Sequence, residues 1–307
     1  MTMKEIKKVA IVGMGALGML FGNRIAENMG SDSVYYVADE DRVKRYARTV
    51  FTINGEEKHF VVKSGKEATP VDLVIVATKY NHLTAALRVM EHCVGDDTTI
   101  ISIINGISSE EIIGKRFGAE KVLYTVAQGM DAVKMGGDFT YTNHGELRTG
   151  QTYDEQKERF EALINFFEKA KIPYTVEEDI IHRMWGKFML NVGINQVCMV
   201  YETTYGGATN GKEEFEVMCG AMQEVMAVAK AEGVSLTQAD ADGYIALMKS
   251  LDPDATPSMR QDGINKRPSE VEMFAGKIIE LGKKHDISVP INEMLYKRVK
   301  EMEKVYE

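Results

Sequence analysis

Residues 9–18 read Val9-Ala10-Ile11-Val12-Gly13-Met14-Gly15-Ala16-Leu17-Gly18, and this stretch decides the fold. Four apolar residues run without a polar break, as in a parallel strand covered on both faces. A helical segment follows from about Ala16 to Asn28. Between them the glycines have G-x-G-x-x-G spacing. In that setting Gly13 permits the tight turn, Gly15 lets the backbone approach a pyrophosphate, and Gly18 lets helix pack closely on strand; Met14, Ala16 and Leu17 complete the loop. Any tight turn favours small residues, but a strand before and a helix after point to a dinucleotide phosphate facing a helix N-terminus. Asp39 lies 39 − 18 = 21 residues past the last glycine. A carboxylate there can accept hydrogen bonds from the ribose hydroxyls of NAD and would repel the extra phosphate of NADP. The competing reading is a solvated acid in the run Asp39-Glu40-Asp41, and Arg42 close by could restore phosphate binding. The cofactor expectation is therefore NADH or NADPH, with Asp39 tilting modestly toward NADH.

Working outward, Val34–Val37, Val71–Ala77 and Thr99–Ile104 read as further strands, with a helix from about His82 to His92. Alternating strands and helices predict a Rossmann-like, doubly wound α/β sheet. Val122–Gln128 reads as another strand. Phe139–Thr142 and Glu146–Thr149 flank Asn143-His144-Gly145 and predict a hairpin. A helix over 154–169 and a strand over 173–176 close this part. From Asp179 the signal is almost wholly helical. Ser269 with Glu272 three residues later has capping-box spacing for a helix over 271–285. The expected organisation is an α/β dinucleotide-binding domain over 1–177 and an all-α C-terminal domain over 178–307.

The chain's 307 residues suffice for two cores. Its net charge is −9, and no basic stripe suits a nucleic acid. The three cysteines show no C-x-x-C pair, and the six histidines show no metal-ligand spacing. No disulfide framework or metal is expected, and a reducing, cytoplasmic setting fits best. The leading Thr2–Lys8 segment runs into a glycine-rich turn, which argues against a signal peptide. No apolar run approaches the ~18 residues that suggest a membrane span. The nineteen methionines read as adaptable core filler.

Four more segments now line up in order: Asn105-Gly106; Trp185-Gly186-Lys187 leading into Asn191 and Asn195; Pro257–Asp262; and Ser269–Glu272 followed by Val289–Asn292. Together with the glycine motif they resemble the ketopantoate reductases over nearly the whole chain. The resemblance implies reduction of 2-dehydropantoate to pantoate, for pantothenate and coenzyme A synthesis. By the same resemblance Lys187 is the general acid, and Asn191 and Asn195 hold the substrate. Ser258 contacts its carboxylate, Lys79 and Asn105 lie near the nicotinamide and its ribose, Asn105 also contacts the substrate, and Glu270 stands where cofactor and substrate meet.

The residues support that chemistry independently. Lys187, Asn191 and Asn195 are spaced i, i+4, i+8 and share one helical face, while Phe188, Met189, Leu190, Val192 and Ile194 between them are apolar. Polar groups in such a helix require partners. Two asparagines alone would more often bridge helices in a core; a lysine heading the row favours a substrate site. Hydride addition to C2 of a 2-oxo acid builds negative charge on the ketone oxygen, which an ammonium can stabilise and protonate. A snorkelling surface lysine is the alternative for Lys187, a helix first-turn acid for Glu270, and a solvated loop lysine for Lys79.

The chain also departs from the family pattern. Asp39 stands near where many members carry an arginine for the NADP phosphate. Ala255-Thr256-Pro257 lacks an asparagine often found before the matched serine, and another near Tyr205-Gly206 is replaced. Fewer polar contacts suggest a different 2-oxo acid or looser selectivity. A related 2-oxo acid or opine-type dehydrogenase, and a non-catalytic dinucleotide-binding regulator, therefore stay open. The expected partner is a small 2-oxo acid; a homodimer is compatible with the reading, and no residue pattern selects an oligomeric state.

Overall fold

The apolar run Val9–Val12 forms a strand buried at all four residues, and everything in the N-terminal part is arranged around it. The computed structural model describes residues 5–306; Met1–Lys4, part of the segment on which the signal-peptide reading rested, lies outside them. The strands are β1 (Val9–Val12), β2 (Val34–Ala38), β3 (Phe51–Ile53), β4 (Glu56–Lys58), β5 (Val62–Ser64), β6 (Leu73–Val76), β7 (Thr99–Ser102), β8 (Val122–Met130), β9 (Val133–Met135), β10 (Asp138–Thr140), β11 (His144–Gly150) and β12 (Tyr174–Val176). The helices are α1 (Ala16–Met29), α2 (Glu40–Tyr46), α3 (Leu83–Val89), α4 (Ser109–Phe117), α5 (Lys157–Lys169), α6 (Ile180–Val200), α7 (Tyr205–Asn210), α8 (Lys212–Ala231), α9 (Gln238–Ser250), α10 (Ser258–Ile264), α11 (Lys277–Lys284) and α12 (Pro290–Glu303). The fold is a Rossmann-like α/β sheet followed by an all-α part. It divides into a unit up to Ile180 and a second from Ile181, whereas the sequence reading placed its boundary at 177.

The main sheet has the order β12-β11-β8-β7-β6-β1-β2-β5. β1 lies between β2 and β6 and pairs in parallel with both, Val9 standing opposite Val34 on one side and Leu73 on the other. The chain first winds outward through β2 and β5, then crosses to β6, β7 and β8. That reversal opens a crevice beyond the carboxyl ends of β1 and β6, where open α/β sheets bind ligands. The Tyr36 hydroxyl, fully buried, donates to the Gly18 carbonyl at 3.0 Å and ties β2 to α1.

Two sequence expectations are corrected. The hairpin about Asn143-His144-Gly145 does not form. β10 pairs with β9 and β3 in a separate four-stranded sheet, while β11 pairs with β8 and β12. The nine-residue β8 offers β11 an antiparallel ladder from His144 opposite Met130 to Gly150 opposite Tyr124, far longer than three-residue β10 can provide. The capping box at Ser269 is also absent. The Ser269 amide and hydroxyl both donate to Glu303, at 2.7 and 2.5 Å, and Glu272 instead accepts from the Tyr296 hydroxyl. The helix entry here is a π-turn over Glu272–Gly276, and Ser269 Oγ accepts from the Val271 amide at 3.4 Å rather than from Glu272.

Beside the carboxyl end of β7 lies a buried polar chain. Ser102 Oγ donates to Ser109 Oγ at 2.9 Å, and Ser109 Oγ donates to Glu110 Oε2 at 2.8 Å. Glu110 Oε1 has no hydrogen-bond partner among the described residues, and desolvation pushes the carboxyl up to about 7. Between its ordinary value and about 7 the folded chain binds this proton better than the unfolded chain, so stability falls as pH rises through that window. Urea unfolding at pH 5 and pH 8 should show this residue removing about 2 kcal/mol of stability on going to the higher pH. Glu110→Gln should flatten that part of the slope; parallel pH curves for the two proteins would contradict the assignment.

Candidate functional site

In the N-terminal unit the glycine loop has the geometry its spacing requires. Gly13 adopts φ +114°, and a Cβ there would lie 2.5 Å from the Ala77 carbonyl oxygen at the end of β6. A Cβ on Gly18 would lie 1.9 Å from the Gly13 carbonyl oxygen, so only glycine lets α1 approach β1 this closely. Gly15 differs: its nearest neighbour would be 3.8 Å away, which leaves an exposed backbone cradle at the N-terminus of fourteen-residue α1. A crowded pair flanking an open glycine is what a loop shaped for a pyrophosphate requires. Lys79 and Asn105 follow the carboxyl ends of β6 and β7. Because the strands are parallel, both lie on the edge that carries Gly13.

Asp39 has a structural duty that spacing did not reveal. It is the N-cap of α2, its Oδ1 accepting from the Arg42 amide at 2.7 Å, and its Oδ2 pairs with the Arg42 guanidinium at 3.0 Å. Arg42 also acts with Lys79 on His82, whose imidazole is held below its ordinary value by desolvation first and by those two cations second. Beside Asp39 thus stand the cation Arg42, which with Lys79 acts on His82, and an imidazole whose charged form is disfavoured. The sequence reading found no metal-ligand spacing about His82, gave it no other role, and missed Lys134. That lysine comes from β9, 120 residues further along the chain, and its ammonium donates to the Met14 carbonyl inside the glycine loop. Local spacing carries no signal of such a contact.

In the C-terminal unit α6 presents the expected row. Asn191 and Asn195 are joined by a 3.3 Å hydrogen bond from Asn195 Nδ2 to Asn191 Oδ1. Asn195 Oδ1 accepts from the Ser258 hydroxyl at 3.3 Å and from the Met259 amide at 3.2 Å. Asn195 therefore holds the first turn of α10 and so places Ser258, which is exposed. Asn195 is thus a bridge between α6 and α10, and it positions the serine. Lys187, one turn before Asn191, is half-buried as a residue, yet its ammonium lies in dense surroundings. Desolvation pushes it down to about 8, against the pull of the nearby Glu270 carboxylate and with a further push from Arg183. Within one unit, Lys187 is thus coupled by charge to Glu270, and Asn191, Asn195 and Ser258 are joined by hydrogen bonds.

Among the described residues no group of three His, Cys, Asp or Glu could hold a metal ion. No helix among them is long and apolar enough to cross a membrane.

Comparison with known proteins places the chain in context. Residues 9–153 match the family model described as ketopantoate reductase PanE/ApbA, and residues 179–303 match its C-terminal counterpart. A 2-dehydropantoate 2-reductase of Aquifex aeolicus is 27% identical over 312 residues, covering 97% of each chain. One from Streptococcus pyogenes serotype M6 is 24% identical, covering 97% of this chain and 98% of the other. Among solved structures, D-mandelate dehydrogenase in complex with NADH superposes with a TM-score of 0.87 at 23% identity, covering 98% of this chain and 100% of that one. A dimeric ketopantoate reductase from Staphylococcus aureus superposes at 0.82 with 21% identity, covering 98% and 100%. At these identities the structural likeness speaks for the fold.

Asn195→Ala removes the acceptor of the Met259 amide and Ser258 hydroxyl, and should lower stability by about 1–2 kcal/mol in urea titration. Asn195→Asp keeps an acceptor there and should recover much of the loss. Equal stability of all three proteins would contradict the bridge.

Proposed function

As the chain belongs to the ketopantoate reductase family, we propose that this nicotinamide-dependent oxidoreductase reduces 2-dehydropantoate, or a close 2-oxo acid, to the 2-hydroxy acid with Lys187 as proton donor. The observation that carries the reading is Lys187 itself: a desolvated ammonium pushed down to about 8, heading a row of two asparagines, the second of which holds Ser258 of α10. When bound, the nicotinamide supplies the hydride that adds to C2 of the ketone. Lys187 hydrogen-bonds the ketone oxygen, offsets the charge that builds there as the C=O π pair moves onto oxygen, and delivers its proton to that atom. The amine is left neutral and regains a proton from solvent. Glu270 opposes early loss of that proton by favouring the charged amine. Ser258, placed by Asn195, binds the substrate carboxylate, and Asn191 offers a further polar contact to the substrate.

The residues that would hold the cofactor are the open Gly15 cradle with Gly13, Met14, Ala16, Leu17 and Gly18, and Asp39, Lys79, Asn105 and Glu270. Asp39 supports NADH through the ribose hydroxyls. The cations Arg42 and Lys79 support tolerance of the NADPH phosphate. The absence of an amide side chain in Ala255-Thr256-Pro257 favours testing bulkier, less polar 2-oxo acids, such as the oxo acid that corresponds to mandelate.

The discriminating assay is NADH and NADPH oxidation against a panel of 2-oxo acids, with wild type and Lys187→Ala side by side. Ketopantoate should turn over, and the variant should lose at least ~10²-fold in kcat. Reduction should fall as pH rises through about 8, where Lys187 loses its proton. Rapid turnover of another acid with ketopantoate inert would replace the substrate assignment. Cofactor binding without turnover across the panel would favour a regulator.

A further inference from the structure

The polar row on α6 begins one turn earlier than the sequence reading recognised. Arg183 precedes Lys187 by four residues and so shares its helical face. Two like charges stacked on one face would ordinarily part, the longer side chain swinging into water. Here the guanidinium is held. Arg183 Nη1 donates to the Tyr244 hydroxyl of α9 at 3.2 Å, and its central carbon lies 5.7 Å from the centre of the Tyr244 ring. Tyr244 can come so near α6 because residue 186 is glycine: a Cβ there would lie 2.6 Å from the tyrosine oxygen and 2.7 Å from a ring carbon. Gly186, Tyr244 and Arg183 therefore form a clamp between two helices of the same unit, and the clamp fixes a positive charge one turn from the ammonium.

We propose that Arg183 is a positioning residue for the reaction: clamped by Tyr244 against Gly186, it sets how readily Lys187 releases its proton to the ketone oxygen. The inference rests on the reading of Lys187 as proton donor. A lysine at its ordinary value is a reluctant acid at neutral pH, and transfer is most efficient when the donor titrates near the working pH. Desolvation moves Lys187 the required way, Glu270 moves it back, and the Arg183 guanidinium adds to the first effect. The charged groups that act on the ammonium are Glu270, ahead of the π-turn, and Arg183 on α6; Tyr244 on α9 faces Arg183, and Asp240 on α9 faces His182. His182 Nε2 lies 3.4 Å from Asp240 Oδ2. Arg183 and Glu270 remain as the opposed pair acting on Lys187.

The test is a titration of Lys187 by NMR in the whole chain with isotope-labelled lysine, the signal assigned by its loss in Lys187→Ala, alongside pH profiles of kcat/KM. Arg183→Ala should move both the Lys187 titration and the alkaline limb of the profile upward by about one pH unit. Arg183→Lys should keep both near wild type. Tyr244→Phe, which keeps the ring and removes the hydroxyl, should shift them in the same direction by less. A Lys187 titration unchanged in both Arg183→Ala and Tyr244→Phe would overturn the inference. If the titration moves as expected while Lys187→Ala retains full turnover, the electrostatic coupling stands and the proton-donor reading falls.

Discussion

An ammonium that water cannot fully solvate is the constraint on which the functional account rests. The Lys187 ammonium lies in dense surroundings, so its charge is stripped of part of its hydration. That desolvation is unfavourable in isolation, and elsewhere in a protein it would be avoided by letting the side chain reach solvent. Here a carboxylate, Glu270, and a guanidinium, Arg183, set limits on the charge from opposite sides. The result is an amine easier to deprotonate than an ordinary lysine, yet still charged at neutral pH, which suits an acid catalyst.

The N-terminal unit solves a different problem, that of bringing bare backbone up to an anion. Its solution is steric. Crowding at Gly13 and Gly18 packs α1 tightly on β1, while the space at Gly15 keeps the helix N-terminus open. The chain's net charge of −9 does not oppose this, because the attraction comes from local amide dipoles and from cations such as Lys134 on the loop.

Much of this was legible in the residues. The strands β1, β2, β6 and β7 are short apolar runs ended by turn residues, and their reading survives to within a few positions because parallel strands buried on both faces leave little ambiguity. The glycine loop and the Lys187-Asn191-Asn195 row were legible because each is a local spacing rule. The failures share one cause, namely partners distant in sequence. β11 leaves its local partner for β8, Ser269 leaves its own helix for Glu303, and Lys134 crosses to Met14. Arg183 is a different case: its spacing was in plain view, but without Tyr244 and Gly186 it reads as an ordinary solvated helix residue.

The central claim is that Lys187 meets the reacting oxygen. It is tested most directly by a crystal structure of the protein with bound nicotinamide cofactor and oxamate, whose amide carbonyl oxygen stands in for the ketone oxygen. The account predicts Lys187 Nζ within hydrogen-bonding reach of that oxygen, about 3 Å. An Nζ directed into solvent, with another group on the oxygen, would contradict it.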